Sequence, residues 1–286
     1  MLRAALVGGL LLLVGMASAQ DVGPIKTEND VQYGQVGDVK LHLDIARPEK
    51  LDKPAPCIVI IHGGGWRGGN RMAHRPQIVE FAKRGYVSAT IGYRLIPHRF
   101  PAAVEDVKCA VRYLRAHAKQ YNLDPNRIGA IGFSAGGHLS MMLGVMGKDD
   151  GLEGEGGWKD QSSQVQCVVS YFGPTNLGAS DIPVQVQGLV NDFLGSTAEE
   201  NAEVRKTASP LTYVSQGDAP LLIFQGTKDP LVPHSQALAM IDSLTKHEIP
   251  SRIEILVGAQ HGWGGKEIIR TANAGFQWFD EHLKGK

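Results

Sequence analysis

Residues 130–140 read AIGFSAGGHLS, one serine, Ser134, held between Gly132 and Gly136. An apolar run precedes it and a helical pattern follows. A sharp turn from strand to helix crowds the backbone, and glycines two positions away on each side relieve that crowding. The turn then holds the hydroxyl clear of the chain. A serine hydroxyl is a weak nucleophile. It attacks an acyl carbon only when a base takes its proton and an acid orients the base. Two residues stand where such partners are needed: Asp229 directly follows LLIFQGTK, and His261 directly follows IEILVGAQ. Alone, each is an ordinary turn aspartate or surface histidine. Together, each at the end of an apolar run, they give the chain order Ser, Asp, His that such a turn requires. The alternatives fit less well. His234 and His247 flank a helical segment, His282 lies in the terminal one, and Asp218 precedes its strand.

Attack on an acyl carbon also needs backbone N–H donors aimed at the oxygen that becomes negative. HGGGW, residues 62–66, offers them. Gly64 and Gly65 are the candidate donors beside the Ala135 amide, with Gly63 a further option. His62 suits a brace for this loop better than a chemical role. Trp66 either walls a substrate pocket or packs as an ordinary aromatic. Gly63, Gly65 and Gly68 also satisfy the G-x-G-x-x-G dinucleotide pattern. The next strand would then end in an acidic residue for the ribose, but it ends in Tyr93-Arg94, so that reading is rejected. Arg94 and Asp106 are expected to brace the fold near the second helix. No phosphate-loop or metal-ligand spacing is present, and no cofactor is expected.

The elements that must position these groups alternate along the chain. VQYGQVGDVKLHLDIARP reads as a hairpin turning at Gly37-Asp38. APCIVII is a short continuous apolar run, as expected of a strand buried on both faces, VQCVVSYF reads as another buried strand, and YVSATI, NRIGAIGF, PLLIFQG and SRIEIL read as the remaining strands. Helical patterns separate them: IVEFAKRG, closed by Gly85; residues 102–121, with Val104, Val107, Val111 and Leu114 on one face; and Leu139, Met142, Leu143 and Met146 after the serine. Later ones carry Ala237, Ile241 and Leu244, then Ile269, Phe276, Phe279 and Leu283. Residues 148–163 read as a surface loop. Residues 174–212 lack a clean period and read as an insertion over the sheet edge, a candidate lid. The pattern predicts an α/β fold with a mostly parallel eight-stranded sheet, helices on both faces and an opening antiparallel hairpin. One domain is expected over residues 20–286.

Composition agrees with that scheme. The 286 residues are 43% hydrophobic, with 29 basic and 29 acidic side chains. A balanced charge gives no electrostatic reason to expect nucleic acid or an anionic membrane as partner. Residues 1–19 form a separate unit. Arg3, the apolar stretch ALVGGLLLLVGM and small residues at Ala17 and Ala19 have the form of a secretory signal, with cleavage expected after Ala19. A secreted or periplasmic protein without a membrane anchor would result. Its three cysteines are an odd number. Cys57, Cys109 and Cys167 read as buried small hydrophobes, with one disulfide plus a free thiol as the alternative.

HGGGW with GFSAGG, followed by Asp229 and His261, resembles the α/β-hydrolase esterases related to hormone-sensitive lipase. Within that group IHGGGWRGGNR, IGYRL, FPAAVEDVKCAVRYL and SPLTYVSQGDAPLLIFQGTKDPLVP look most like the secreted bacterial feruloyl and acetyl esterases. The likeness runs over residues 30–285. It implies Ser134 as nucleophile, Asp229 as acid, His261 as base and the glycine loop as oxyanion hole. It also implies a substrate that is a small-molecule or polysaccharide-linked ester. Other readings are a peptidase or aryl-formamidase of the same fold, or a non-catalytic binding module. A peptidase needs an acidic pair for the substrate amine, formamidases of this fold are mostly intracellular, and a binding module would lack a member of the Ser-Asp-His set. The absence of a long N-terminal cap leads to the expectation of a shallow pocket bounded by Trp66 and residues 174–212.

Overall fold

In the computed structural model, residues 22–197, 200 and 202–285 are described. The expected signal segment lies outside them. The described chain runs β1 (Ile25–Val36), β2 (Val39–Pro48), β3 (Ala55–Ile61), α1 (Arg75–Lys83), β4 (Val87–Ile91), α2 (Ala102–Ala116), α3 (Ala118–Tyr121) and β5 (Leu123–Phe133). There follow α4 (Ala135–Val145), β6 (Cys167–Tyr171), α5 (Val184–Leu194), α6 (Ala202–Thr207), β7 (Leu221–Gly226), α7 (His234–Lys246), β8 (Ser251–Leu256) and α8 (Gly265–Phe279).

The eight strands form one sheet in the order β1-β2-β4-β3-β5-β6-β7-β8. β1 and β2 are the expected hairpin, and β2 joins β4 antiparallel. Every pairing from β4 through β8 is parallel. Each crossover therefore carries a helix across a face, which is why β3, β4, β6 and β7 are buried along their whole lengths. α2, α4 and α7 cover one face with Val104, Val107, Leu139, Met142 and Leu244. α1 and α8 cover the other with Ile78, Phe81, Phe276 and Phe279.

Three local expectations change. The helix expected over 102–121 breaks at His117, whose ring Nδ1 donates to the Tyr113 carbonyl at 2.8 Å, and resumes as α3. The 148–163 segment is a loop, but it is tied down. Glu153 reaches Lys108 and Arg112, two α2 side chains only 1% exposed, while the Gly151 and Gly157 carbonyls accept from the same pair. Two cations can be buried there only because the loop brings an anion and carbonyls to meet them. Residues 174–212 do not lie over a sheet edge. They connect the interior strands β6 and β7 and cover the carboxyl ends of the strands, since Ile182, Val186 and Leu189 line the cavity that holds Ser134. Arg94 braces α2 as expected, through Asp106, Glu105 and the Ala102 carbonyl. The three cysteines are buried and free.

Candidate active site

Ser134 joins β5 to α4 with φ 54° and ψ −120°. A left-handed φ is strained for a residue with a Cβ, and here the surrounding contacts impose it. A Cβ on Gly132 would lie 2.0 Å from the Gly136 carbonyl oxygen, and one on Gly136 would lie 2.1 Å from that of Ile61. Only glycine allows β3, β5 and α4 to converge this closely. Serine is a favoured helix N-cap, yet the Ser134 side chain makes no capping bond. Its hydroxyl is turned to His261 instead.

His261 Nε2 lies 2.9 Å from Ser134 Oγ, and His261 Nδ1 lies 2.8 Å from Asp229 Oδ2. An ionised carboxylate only accepts, so Nδ1 carries the hydrogen and Nε2 offers its lone pair to the serine hydroxyl. The Asp229 side chain is fully buried and its lone pairs are used. Oδ1 accepts from the Leu231 and Val232 amides at 2.8 and 2.9 Å, and Oδ2 accepts from Gln225 Nε2 at 3.1 Å. Gln225 also donates to the Val232 carbonyl at 2.8 Å, so it ties the carboxylate to the turn that follows β7. The sequence reading missed Gln225. The signal was present, a lone polar residue inside the apolar run LLIFQG. It also missed Phe172, whose ring centroid lies 4.6 Å from that of His261.

The glycine loop comes against the serine. A Cβ on Gly63 would lie 2.6 Å from the Phe133 carbonyl oxygen and 3.3 Å from Ser134 Cβ. Gly64 and Gly65 take φ 120° and 61°, and their N–H groups have no backbone acceptor among the described residues. The Ala135 amide opens α4, where an N–H has no intrahelical partner. Three donors are thus available beside the hydroxyl. Trp66 is 4% exposed, stacks on Phe193 at 4.3 Å and meets His138 edge-on. Packing is its main part; it supports the loop and α5 and only borders the cavity. α5 is held to the same loop by the Arg67–Asp192 ion pair and by Leu189, which a Cβ on Gly65 would meet at 2.5 Å.

His62 braces the loop as expected. Its Nδ1 donates to the Gly63 carbonyl at 2.8 Å, its ring stacks on Tyr93 at 4.4 Å, and the Tyr93 hydroxyl donates to its carbonyl. Burial pushes the His62 imidazole down to about 4, and burial does the same to His138. Both stay neutral in the fold, whereas the unfolded chain binds their protons near pH 6.5. Their stabilising contribution is therefore present above about pH 6.5 and lost as pH falls toward 4, on the order of 2–3 kcal/mol each. The Tm should fall through this window, and less steeply in His138→Gln, which can still donate to the Ala208 carbonyl. Parallel Tm–pH curves for the two proteins would contradict the assignment.

The cavity around Ser134 measures about 1180 Å³ and is mostly apolar. It is not shallow. One part lies under α5 and the turn after β7, with Val186, Leu189, Leu231 and Val232. The other runs between α1 and α8, where Ala272 and Gly275 present little side chain to fill it. That depth depends on two helices almost two hundred residues apart, which local pattern does not encode.

The BD-FAE family description matches residues 43–244, most of the sheet together with the glycine loop, Ser134 and Asp229. The chain belongs to the BD-FAE family. The resemblance to esterases related to hormone-sensitive lipase is thereby borne out. The probable carboxylic ester hydrolase LipM of Mycobacterium tuberculosis is 31% identical over 80% of this chain and 56% of its own length. The chain thus spans about half the length of the curated relatives it matches. Among solved structures, a truncated carbohydrate esterase from gut microbiota superposes with a TM-score of 0.77 at 25% identity, covering 89% of this chain and 96% of that one. The thermophilic esterase Est2 of Thermogutta terrifontis, with butyrate bound, gives 0.73 at 28% identity over 90% and 93%.

Proposed function

We propose that this protein is an exported serine carboxylesterase that removes acetyl or aromatic acyl groups, such as feruloyl groups, from plant polysaccharides. The observation that carries the reading is the continuous hydrogen-bond chain from Ser134 through His261 to Asp229. His261 Nε2 takes the hydroxyl proton as Ser134 Oγ attacks the ester carbonyl. The amides of Gly64, Gly65 and Ala135 receive the oxyanion, and Asp229 steadies the imidazolium. His261 then returns the proton to the leaving alcohol. Water, activated by the same imidazole, hydrolyses the acyl-serine and restores the hydroxyl.

The carboxylesterase names of the relatives and the carbohydrate esterase among the structural neighbours support this reading. A peptidase is favoured less. Apart from Glu80, already paired with Arg84, the cavity wall offers no free carboxylate among the described residues to hold a substrate amine. Export rests on residues 1–19, and cleavage after Ala19 is read by sequencing the amino terminus of the secreted protein. The test of substrate is a release assay on acetylated xylan, methyl ferulate and nitrophenyl esters of increasing chain length. Release of acetate or ferulate is expected. A rate that climbs steadily to octanoyl esters, with no release from either plant substrate, would make the protein a lipase instead.

A further inference from the structure

The part of the cavity between α1 and α8 is walled by rings, among them Phe81, Phe133, Phe172, Trp263 and Phe276. One stretch of this wall is polar. His74, which caps the start of α1, lies flat on Phe133, the residue before Ser134, with centroids 5.2 Å apart and planes within 8°. Gln77, one turn on, lines the cavity beside it. His74 Nδ1 pairs with Gln77 Oε1. An amide oxygen only accepts, so Nδ1 carries the hydrogen. Burial lowers the His74 imidazole below its ordinary value, which favours the neutral ring. Nε2 is then a lone pair, and it has no hydrogen-bond partner among the described residues. The Gln77 bond is local; it orients the imidazole and does not tie it to another element. Glu80, the other polar group of this wall, is already paired with Arg84 at 3.3 Å.

An acceptor lying flat along an aromatic wall, one ring away from the nucleophile, matches a planar ring that carries a hydroxyl donor. We propose that His74 Nε2 accepts a hydrogen bond from a hydroxyl on an aromatic ring of the ester, which makes the α1–α8 lobe a subsite for hydroxyaryl groups. The inference rests on the esterase reading of Ser134. A site that hydrogen-bonds a substrate hydroxyl rejects the analogue lacking it, because its own polar group is left unpaired. Water can reach part of this lobe, so the preference is about tenfold rather than the far larger values of closed sites.

The ring belongs either to the acid or to the alcohol of the ester, and matched pairs separate the two. One pair is methyl 4-hydroxycinnamate and methyl cinnamate; the other is the acetates of 4-hydroxybenzyl and benzyl alcohol. The wild-type protein should show a kcat/KM ratio near ten in one pair. His74→Phe retains a ring against Phe133 and removes the acceptor, so that ratio should fall to about one; Gln77→Leu frees the tautomer and should lower it partway. Reading a ratio within each variant cancels any general loss of activity. A wild-type ratio near one in both pairs, or an unchanged ratio in His74→Phe, overturns the proposal. Failure to hydrolyse any of the four esters while nitrophenyl acetate is cleaved also overturns it, since the lobe would then not admit rings. If nitrophenyl acetate is not cleaved and an organophosphate does not label Ser134, the esterase reading itself falls, and the subsite with it.

Discussion

Ser134→Ala should lower kcat on nitrophenyl acetate by about 10⁴-fold or more, and His261→Ala should cost about as much. The double variant should be hardly worse than either single one. The reason lies in the single chain of hydrogen bonds, Ser134 Oγ to His261 Nε2 and His261 Nδ1 to Asp229. Without the hydroxyl, the base has no proton to take; without the base, the hydroxyl is no better than water. Once one is gone, removing the other removes nothing further. The residual rate comes from the Gly64, Gly65 and Ala135 amides, which still receive the oxyanion when water attacks. Asp229→Ala should cost less activity, because the imidazole keeps its proton acceptor while losing its orientation. It should also lower the Tm, since the Leu231 and Val232 amides and Gln225 lose their shared acceptor. Multiplying losses in the Ser134/His261 double variant would mean that the two residues act independently, and the assignment would fail.

Ser134, Asp229 and His261 were legible because each falls at or just past the carboxyl end of a strand whose run the sequence marks. Period and position were enough to find them, although Ser134 and His261 are 127 residues apart in sequence. The alternation of runs likewise gave the parallel sheet and both helical layers. Features built from non-local contact were not legible. Lys108 and Arg112 sit on α2 four residues apart, and a pattern reading turns charges outward. They are buried because Glu153 and two glycine carbonyls arrive from another segment. The position of residues 174–212 depends on Leu189 and Phe193 meeting Gly65 and Trp66, contacts with no local signature. The depth of the cavity follows from the same limit. The expectation of a shallow pocket took account of what covers the sheet but not of how far α1 and α8 stand apart.

Two glycine substitutions, both inside helices, should have opposite effects on stability. Gly136→Ala places a methyl 2.1 Å from the Ile61 carbonyl oxygen and 2.6 Å from that of His62. Both acceptors are backbone atoms at the end of β3, an interior strand paired on both sides, so neither can swing away as a flexible side chain would. Relief requires α4 to move off the sheet, and overpacking of this kind costs about 3 kcal/mol or more. For a chain of this size that lowers the Tm by about 6–12 °C. Because Gly136 lies two residues after Ser134, the same displacement should separate the hydroxyl from His261 and cut kcat as well. Gly188→Ala tests the other extreme. Gly188 lies within α5, and a Cβ there would meet nothing within 4 Å. Alanine restricts the unfolded chain and suits a helix better than glycine by up to about 1 kcal/mol, so the Tm should rise by about 2–4 °C. Thermal denaturation of both variants, with kcat on nitrophenyl acetate, decides the matter. A Gly136→Ala protein as stable and active as wild type would mean that the close approach of α4 to β3 is not what fixes the serine turn.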